Sequence, residues 1–220
     1  PDIEIIAVGD TVLSDDPNDH GRLWNETVLE AAGDEIDMLS FHVYQPGESG
    51  WLEKYDRHEL HASVAAAPLD VEDMIARMAA QIARRPGKRK ITVALDEWNL
   101  WLTPPPEAGS MHQLVYTMRD ALYCAGMLNV FHRQCQALGM ANLAQLVNVL
   151  PLIVTDQTRA AATSMYYPFL LYRTMQPLAL KAQVLSPTFT CQSLGVNMTA
   201  RPAVPYLDLT ATRSADGRRL

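Results

Sequence analysis

Residues 91–99 read ITVALDEWN, and this stretch decides the fold. Its first five residues are apolar or β-branched, a pattern typical of a strand buried in a parallel sheet. Asp96, Glu97 and Asn99 follow at once, so polar side chains collect where the strand ends. Parallel α/β folds place their functional sites at that edge of the sheet. The stretch therefore predicts both a parallel sheet and a candidate site.

On both sides of this stretch, strand-like and helix-like patterns alternate along the chain. The further strand patterns lie at 3–8, 38–44 and 141–147. Helical patterns lie at about 23–33, 71–82, 114–137 and 163–176, with Asp70 as the expected N-cap of the second. Four β-α units in series imply crossover connections and a parallel sheet, and they amount to half of an eightfold barrel. From about Val184 the pattern changes, and 204–212 alternates like an antiparallel strand that begins a separate β domain.

Composition excludes several classes of protein. The 220 residues are 48% hydrophobic and 20% charged, with a mean hydropathy of -0.07, which is typical of a globular protein and not of a disordered one. A net charge of -7 argues against a nucleic-acid partner, which would favour a basic protein. No apolar run approaches the ~18 residues of a membrane-spanning helix. No glycine-rich phosphate loop follows any predicted strand, and we expect neither a cofactor nor a bound metal.

The strand ends supply candidate residues for carbohydrate chemistry. Glu97 could act as a glycosidase nucleophile or acid, and Trp98 and Trp101 could stack on the apolar face of a sugar ring. Alternation along the strand 38–44 places Ser40, His42 and Tyr44 on one face. Two alternatives stay open from the residues alone: Glu97 could simply pair with an arginine or cap a helix, and the polar face could form an internal hydrogen-bond network.

Three other patterns resemble sites but are better explained otherwise. The sequence HELH at 58–61 resembles a two-histidine metal pair, but we expect it in a loop without a third ligand. The acidic stretch 15–19 lacks the spacing of a calcium loop and is better read as a turn. The pair Asn25-Glu26 resembles a glycosidase Asn-Glu pair, but it falls within a predicted helix.

Several stretches in their order and spacing resemble the α-L-arabinofuranosidases of glycoside hydrolase family 51. The matching stretches are DMLSFHVY at 37–44, ALDEWNLW at 94–101, ANLAQLVN at 141–148, YYPF at 166–169 and VPYL at 204–207. The resemblance implies a (β/α)8 barrel followed by a β-sandwich. On this basis residues 1–180 are assigned to barrel strands 5–8 with their helices, and residues 181–220 to the beginning of the sandwich.

The resemblance also implies a role for individual residues. Glu97 matches the family's nucleophile, and Tyr44 matches the residue that orients it. His42, Trp98, Trp101 and Gln145 are assigned to substrate binding, with Gln145 as an amide on the last barrel strand. The substrate implied is an oligosaccharide with a terminal arabinofuranosyl group.

A retaining glycosidase needs a second carboxyl group about 5 Å from the nucleophile. In the family this acid/base Glu follows an Asn on the fourth strand, so we expect it upstream of this chain and expect residues 1–220 alone to be inactive. Two alternatives remain: a related barrel that cleaves β-xylosides or β-glucans, and an inert sugar-binding remnant. The family further implies a homo-oligomeric full-length protein in the cytoplasm.

Overall fold

Four parallel strands form the central sheet of the protein, in the order in which they occur in the chain. A computed structural model describes residues 3–47, 56–85, 87, 89–104 and 106–220. The strands are β1 (Ile6–Val8), β2 (Met38–Gln45), β3 (Thr92–Leu100) and β4 (Leu138–Leu143). Because all four run in the same direction, their carboxyl ends meet at one edge of the sheet, as the β-α alternation predicts.

Helices connect these strands and cover one face of the sheet. They are α1 (His20–Ala32), α2 (Arg57–Ala66), α3 (Pro68–Arg84), α4 (Met118–Arg133) and α5 (Tyr166–Tyr172). On β2 the side chains of Leu39, Phe41 and Val43 are buried among the helices, at 0%, 1% and 2% exposure. The side chains of Ser40, His42 and Tyr44 alternate with them and occupy the opposite face, as predicted.

A β-bulge interrupts β3 at Asp96. Phe41 on β2 is paired with Leu95, but the next residue, His42, is paired with Glu97. Asp96 is therefore the extra residue of β3. An extra residue reverses the alternation beyond it, so that Leu95 and Trp98, three positions apart, both lie in the helix-side core.

Several helix and strand predictions need correction. β1 is an edge strand with Val8 71% exposed, so the expectation of a buried strand is wrong. The sequence HELH at 58–61 lies in α2 and not in a loop. Helix α3 begins at Pro68, which suits a first helical position because the proline lacks an N–H donor. Asp70 lies in its first turn and is not the N-cap.

Besides α5, the region after β4 contains short antiparallel strand pairs. The pairs are β5 (Ile153–Thr155) with β6 (Ala160–Ala162), β7 (Leu178–Leu180) with β10 (Ala211–Arg213), and β8 (Thr188–Cys191) with β9 (Arg201–Pro205). The single strand predicted over 204–212 is wrong, since two strands with different partners share that stretch. β7 precedes residue 181, and its partner β10 lies beyond it.

A buried ion pair attaches this β region to the helices. Asp70 on α3 is 4% exposed and accepts hydrogen bonds from Thr199 and, at 2.8 Å, from Arg201 Nη2. Arg201 also reaches Asp73, one turn further along the helix, at 2.7 Å.

No helix in the described part of the chain is both long and apolar enough to cross a membrane.

Candidate active site

The carboxyl ends of β2 and β3 bring Tyr44 and Glu97 together. The two strands are adjacent and parallel, and His42 is the direct register partner of Glu97. Tyr44 Oη donates a hydrogen bond of 2.7 Å to Glu97 Oε2. Glu97 itself is 43% exposed, so one carboxylate is both oriented by a neighbour and open to a ligand.

The Tyr44 hydroxyl is suited to be a permanent donor in this pair. Burial raises the pKa of Tyr44 well above its ordinary value of 10.0, and the hydrogen bond and negative charge of Glu97 raise it further. The hydroxyl therefore keeps its proton at neutral pH and donates to the carboxylate. A charge-assisted bond of this kind is stronger than a neutral one and holds Glu97 in a defined rotamer.

His42 lies between two carboxylates. Its Nε2 atom is 3.2 Å from Asp96 Oδ1, and its Nδ1 atom is 3.5 Å from Glu97 Oε2. Asp96 Oδ1 is buried, and no group in the described part of the chain forms a well-aligned hydrogen bond with it. The imidazole is 52% exposed and thus remains accessible beside the nucleophile candidate.

Neither Asp96 nor Glu97 forms an ion pair with a lysine or arginine in the described parts of the chain; the imidazole of His42 lies close to both carboxylates. The alternative explanation of Glu97 as an ordinary strand-end acid paired with arginine therefore finds no partner in these residues. A surface-accessible carboxylate without such a pair is free to engage a ligand.

Trp101 lies next to the candidate site, in contact with Tyr44. The two rings meet edge to face with centroids 5.4 Å apart. The indole Nε1 donates to the Met111 carbonyl at 3.1 Å, and the His112 ring lies 4.9 Å from the indole. Trp101 is thus held by Tyr44, Met111 and His112. It contacts the residue that donates a hydrogen bond to Glu97.

The stacking role predicted for Trp98 is wrong. Its side chain is fully buried and packs against Tyr123, Phe131 and Phe169 of the helices. The physical reason is the bulge at Asp96, which turns Trp98 to the helix side while leaving Glu97 beside Tyr44. Of the two tryptophans, only Trp101 lies next to the site.

Gln145 follows β4, the strand next to β3, and so leaves the sheet at the same edge as Glu97. Its side chain is exposed, its N–H donates to the Val149 carbonyl at 3.2 Å, and the peptide bond between Ala144 and Gln145 is cis. The strand predicted over 141–147 ends at Leu143, which places Gln145 in a loop over residues 144–150 (the β4 loop).

Two residues of the site region were given no role from the sequence. Asn99 is fully buried two residues after Glu97 and bonds the β4 loop; its place in DEWN was the available signal. Asn197 Nδ2 donates to the Tyr44 carbonyl at 2.8 Å. No local pattern could have revealed Asn197, because 153 residues separate it from Tyr44.

Comparisons with known proteins agree with the geometry. A family model described as "Alpha-L-arabinofuranosidase C-terminal domain" matches residues 96–215. The "Intracellular exo-alpha-L-arabinofuranosidase" of Bacteroides ovatus is 29% identical over 208 residues, which cover 91% of this chain and 39% of the relative. The "Intracellular exo-alpha-(1->5)-L-arabinofuranosidase" of Halalkalibacterium halodurans is 28% identical over 94% of this chain and 41% of the relative.

Solved structures give the same result for the fold. The chain superposes on the α-L-arabinofuranosidase of Thermotoga maritima, solved as an arabinose complex, with a TM-score of 0.71 and 28% identity. The match covers 98% of this chain and 41% of that structure. The chain thus spans about two fifths of the length of the relatives it matches. It belongs to the α-L-arabinofuranosidase C-terminal domain family, within glycoside hydrolase family 51.

Proposed function

We propose that this chain provides the nucleophile half of a retaining α-L-arabinofuranosidase. The observation that carries the proposal is the 2.7 Å hydrogen bond from Tyr44 to Glu97 at the carboxyl ends of two parallel strands. Family membership and the names of the relatives support the substrate class, an oligosaccharide with a terminal α-L-arabinofuranosyl group.

In the proposed mechanism Glu97 attacks the anomeric carbon of the arabinofuranosyl group. The glycosidic bond breaks through an oxocarbenium-like transition state, and a covalent glycosyl-enzyme forms. Water then hydrolyses this intermediate. A second carboxyl group, about 5 Å from Glu97, protonates the leaving oxygen and later activates the water. We assign this acid/base to a part of the full-length protein that lies outside residues 1–220, and expect these residues alone to be inactive.

If the acid/base lies outside residues 1–220, these residues form only part of the catalytic domain. We propose that β1 to β4 are strands 5–8 of a (β/α)8 barrel and that the antiparallel region begins a β-sandwich. The parallel order of the sheet, the exposed outer edge at β1 and the 39–41% coverage of the relatives support this assignment. A homo-oligomeric full-length protein stays a prediction, and the relatives' names favour an intracellular location.

The other site residues take roles consistent with their positions. His42 Nδ1 lies 3.5 Å from Glu97 Oε2, and its ring is exposed enough to meet a sugar hydroxyl. Trp101 offers a flat apolar surface beside Tyr44 for the furanose ring. We assign Gln145, which is exposed on the β4 loop, to a hydrogen bond with the sugar.

Glu97→Gln in the full-length protein tests the proposal, with an aryl α-L-arabinofuranoside as substrate. We expect turnover to be abolished, and azide to restore turnover of Glu97→Ala by forming a glycosyl azide. Glu26→Gln is the control, since Glu26 is exposed on α1 in the other Asn-Glu pair. Full activity of Glu97→Gln would refute the proposal, and an aryl β-xyloside measured in parallel separates the alternative substrate class.

A further inference from the structure

Asn99 is buried two residues after Glu97 on β3, where it is the register partner of Tyr44. Its side chain is fully buried, and each of its hydrogen-bonding positions has a partner within the protein. Nδ2 donates to the carbonyls of Ala144 at 2.7 Å and Leu150 at 2.8 Å, while Oδ1 accepts from the Leu100 N–H at 2.8 Å and from Tyr116 Oη at 3.4 Å. An amide with two donors and two acceptor lone pairs has no capacity left for a substrate.

The two carbonyls that Asn99 binds lie at the two ends of the β4 loop. One side chain therefore closes the loop over residues 144–150 and ties both ends to the strand that carries Glu97. The loop needs such support, because Asn148 and Leu150 have φ angles of 61° and 46°, a left-handed region that non-glycine residues seldom adopt. Asn148 gains support from two hydrogen bonds with Thr155; Leu150 is held through its carbonyl by Asn99.

The β4 loop also carries Gln145. The Ala144 N–H donates to the Trp98 carbonyl at 3.2 Å, which ties the start of the loop to β3 backbone to backbone. Asn99 adds a second bond at the start of the loop, to the Ala144 carbonyl, and a bond at its end, to the Leu150 carbonyl. Glu97 and Asn99 lie two residues apart on β3, and Asn99 bonds both ends of the loop that carries Gln145. These bonds thus help to set the position of Gln145 relative to Glu97.

We propose that Asn99 is a positioning residue, which holds the β4 loop so that Gln145 meets the sugar bound at Glu97. This inference rests on the proposed function. Tyr116 supports Asn99, because its hydroxyl contacts both Asn99 Oδ1 and, at 3.2 Å, the Leu100 carbonyl. Loss of the Asn99 amide leaves the two loop carbonyls without their donor and releases the loop.

A double-mutant cycle in the full-length protein tests this proposal. The enzymes are wild type, Asn99→Ala, Gln145→Ala and the double variant, assayed for kcat and KM with an aryl α-L-arabinofuranoside. We expect Asn99→Ala to lower kcat/KM by about 10- to 100-fold, from the loss of buried hydrogen bonds. In the Gln145→Ala background the same substitution should cost less than about 3-fold, because the side chain through which Asn99 acts is gone.

Matched variants separate positioning from general destabilisation. Asn129→Ala is the control: Asn129 is also a buried asparagine, on α4, and bonds Asp208 and Tyr172 away from the site. It should lower the melting temperature but leave kcat/KM unchanged. Tyr116→Phe removes only the supporting hydroxyl and provides a milder variant, should Asn99→Ala fail to fold; its smaller effect should also shrink in the Gln145→Ala background.

The outcomes distinguish this inference from the proposed function. If Glu97→Gln is inactive but the Asn99 and Gln145 effects multiply independently, the proposed function stands and the positioning role is overturned. An unchanged kcat/KM for Asn99→Ala also overturns the positioning role. So does unchanged amide hydrogen exchange of the β4 loop in Asn99→Ala or in Tyr116→Phe. If Glu97→Gln keeps full turnover, the proposed function itself fails.

Discussion

Replacing Tyr44 by phenylalanine removes one atom, the hydroxyl that donates to Glu97 Oε2 at 2.7 Å. The ring and its edge contact with Trp101 remain, so the wall of the site keeps its shape. The neighbouring Asn197 bonds the backbone carbonyl of Tyr44 and not its side chain, so this contact is also retained. The substitution therefore tests a single interaction with the proposed nucleophile, Glu97.

The expected loss follows from the nature of that bond. A hydrogen bond to a charged group contributes about 1.5–3 kcal/mol, which corresponds to about 10- to 160-fold in rate. Part of Glu97 faces solvent, so water can replace the hydroxyl in part, and we expect the lower half of this range. The orientation of the carboxylate matters for attack on the anomeric carbon, so the loss should appear in kcat more than in KM.

The assay is steady-state hydrolysis of an aryl α-L-arabinofuranoside by the full-length protein. Tyr172→Phe is the matched control, because Tyr172 on α5 loses a comparable hydroxyl that bonds Asn129 at 2.5 Å, away from the site. It should affect stability only. A Tyr44→Phe enzyme within about 2-fold of wild type in kcat would refute the assigned role of Tyr44.

Three further predictions concern stability and reactivity. Arg201→Met leaves the carboxylate of Asp70 buried without its cation, and we expect it to lower the free energy of unfolding by about 3 kcal/mol, measured by urea denaturation. Burial lowers the pKa of His132 below its ordinary value of 6.5. As the pH falls from ~7 to ~5, the unfolded chain therefore binds more protons than the folded one, and stability falls. His132→Asn should flatten this loss, as melting temperatures measured over the same pH range can show. Iodoacetamide should label exposed Cys135 and spare Cys124, because burial raises the pKa of the Cys124 thiol to about 12, as peptide mass spectrometry can check.

Controls and contrary outcomes make these predictions decisive. Arg159→Met breaks an exposed ion pair with Asp156 and should leave the unfolding free energy unchanged; equal losses in the two arginine variants would contradict the account of Asp70. An unaltered pH slope in His132→Asn would assign the acid sensitivity to other groups. Native labelling of Cys124 at the rate of Cys135 would show that the α4–α5 interface opens readily.

The sequence allowed the fold class and part of the site to be predicted because both depend on local patterns. Apolar β-branched runs that alternate with amphipathic helices specify parallel strands, and polar residues directly after those runs must lie at one edge of the sheet. This reasoning placed Glu97, His42 and Tyr44 together, and the structure confirms their contact. The period of two along β2 was sufficient, because that strand carries no extra residue.

Trp98 shows where such local reasoning ends. Strict alternation through DEWN would keep Trp98 on the face opposite Glu97, but it cannot say which of them faces the helices. The bulge at Asp96 arises from the pairing of β3 with its neighbours, and an inserted residue in a strand has no signature in its own composition. The choice between Trp98 in the core and Trp101 at the site was therefore made by strand register.

The amino-acid sequence was enough to predict a parallel α/β sheet in this protein, with the Glu97 carboxylate at the edge where its strands end. Only the tertiary structure decided which distant groups hold that edge in place. Asn197 reaches Tyr44 from 153 residues away, and Asn99 closes a loop that begins 45 residues later. The physical reason is that these bonds satisfy backbone carbonyls, which every residue has, so sequence cannot distinguish the carbonyl that is bound from those that are not.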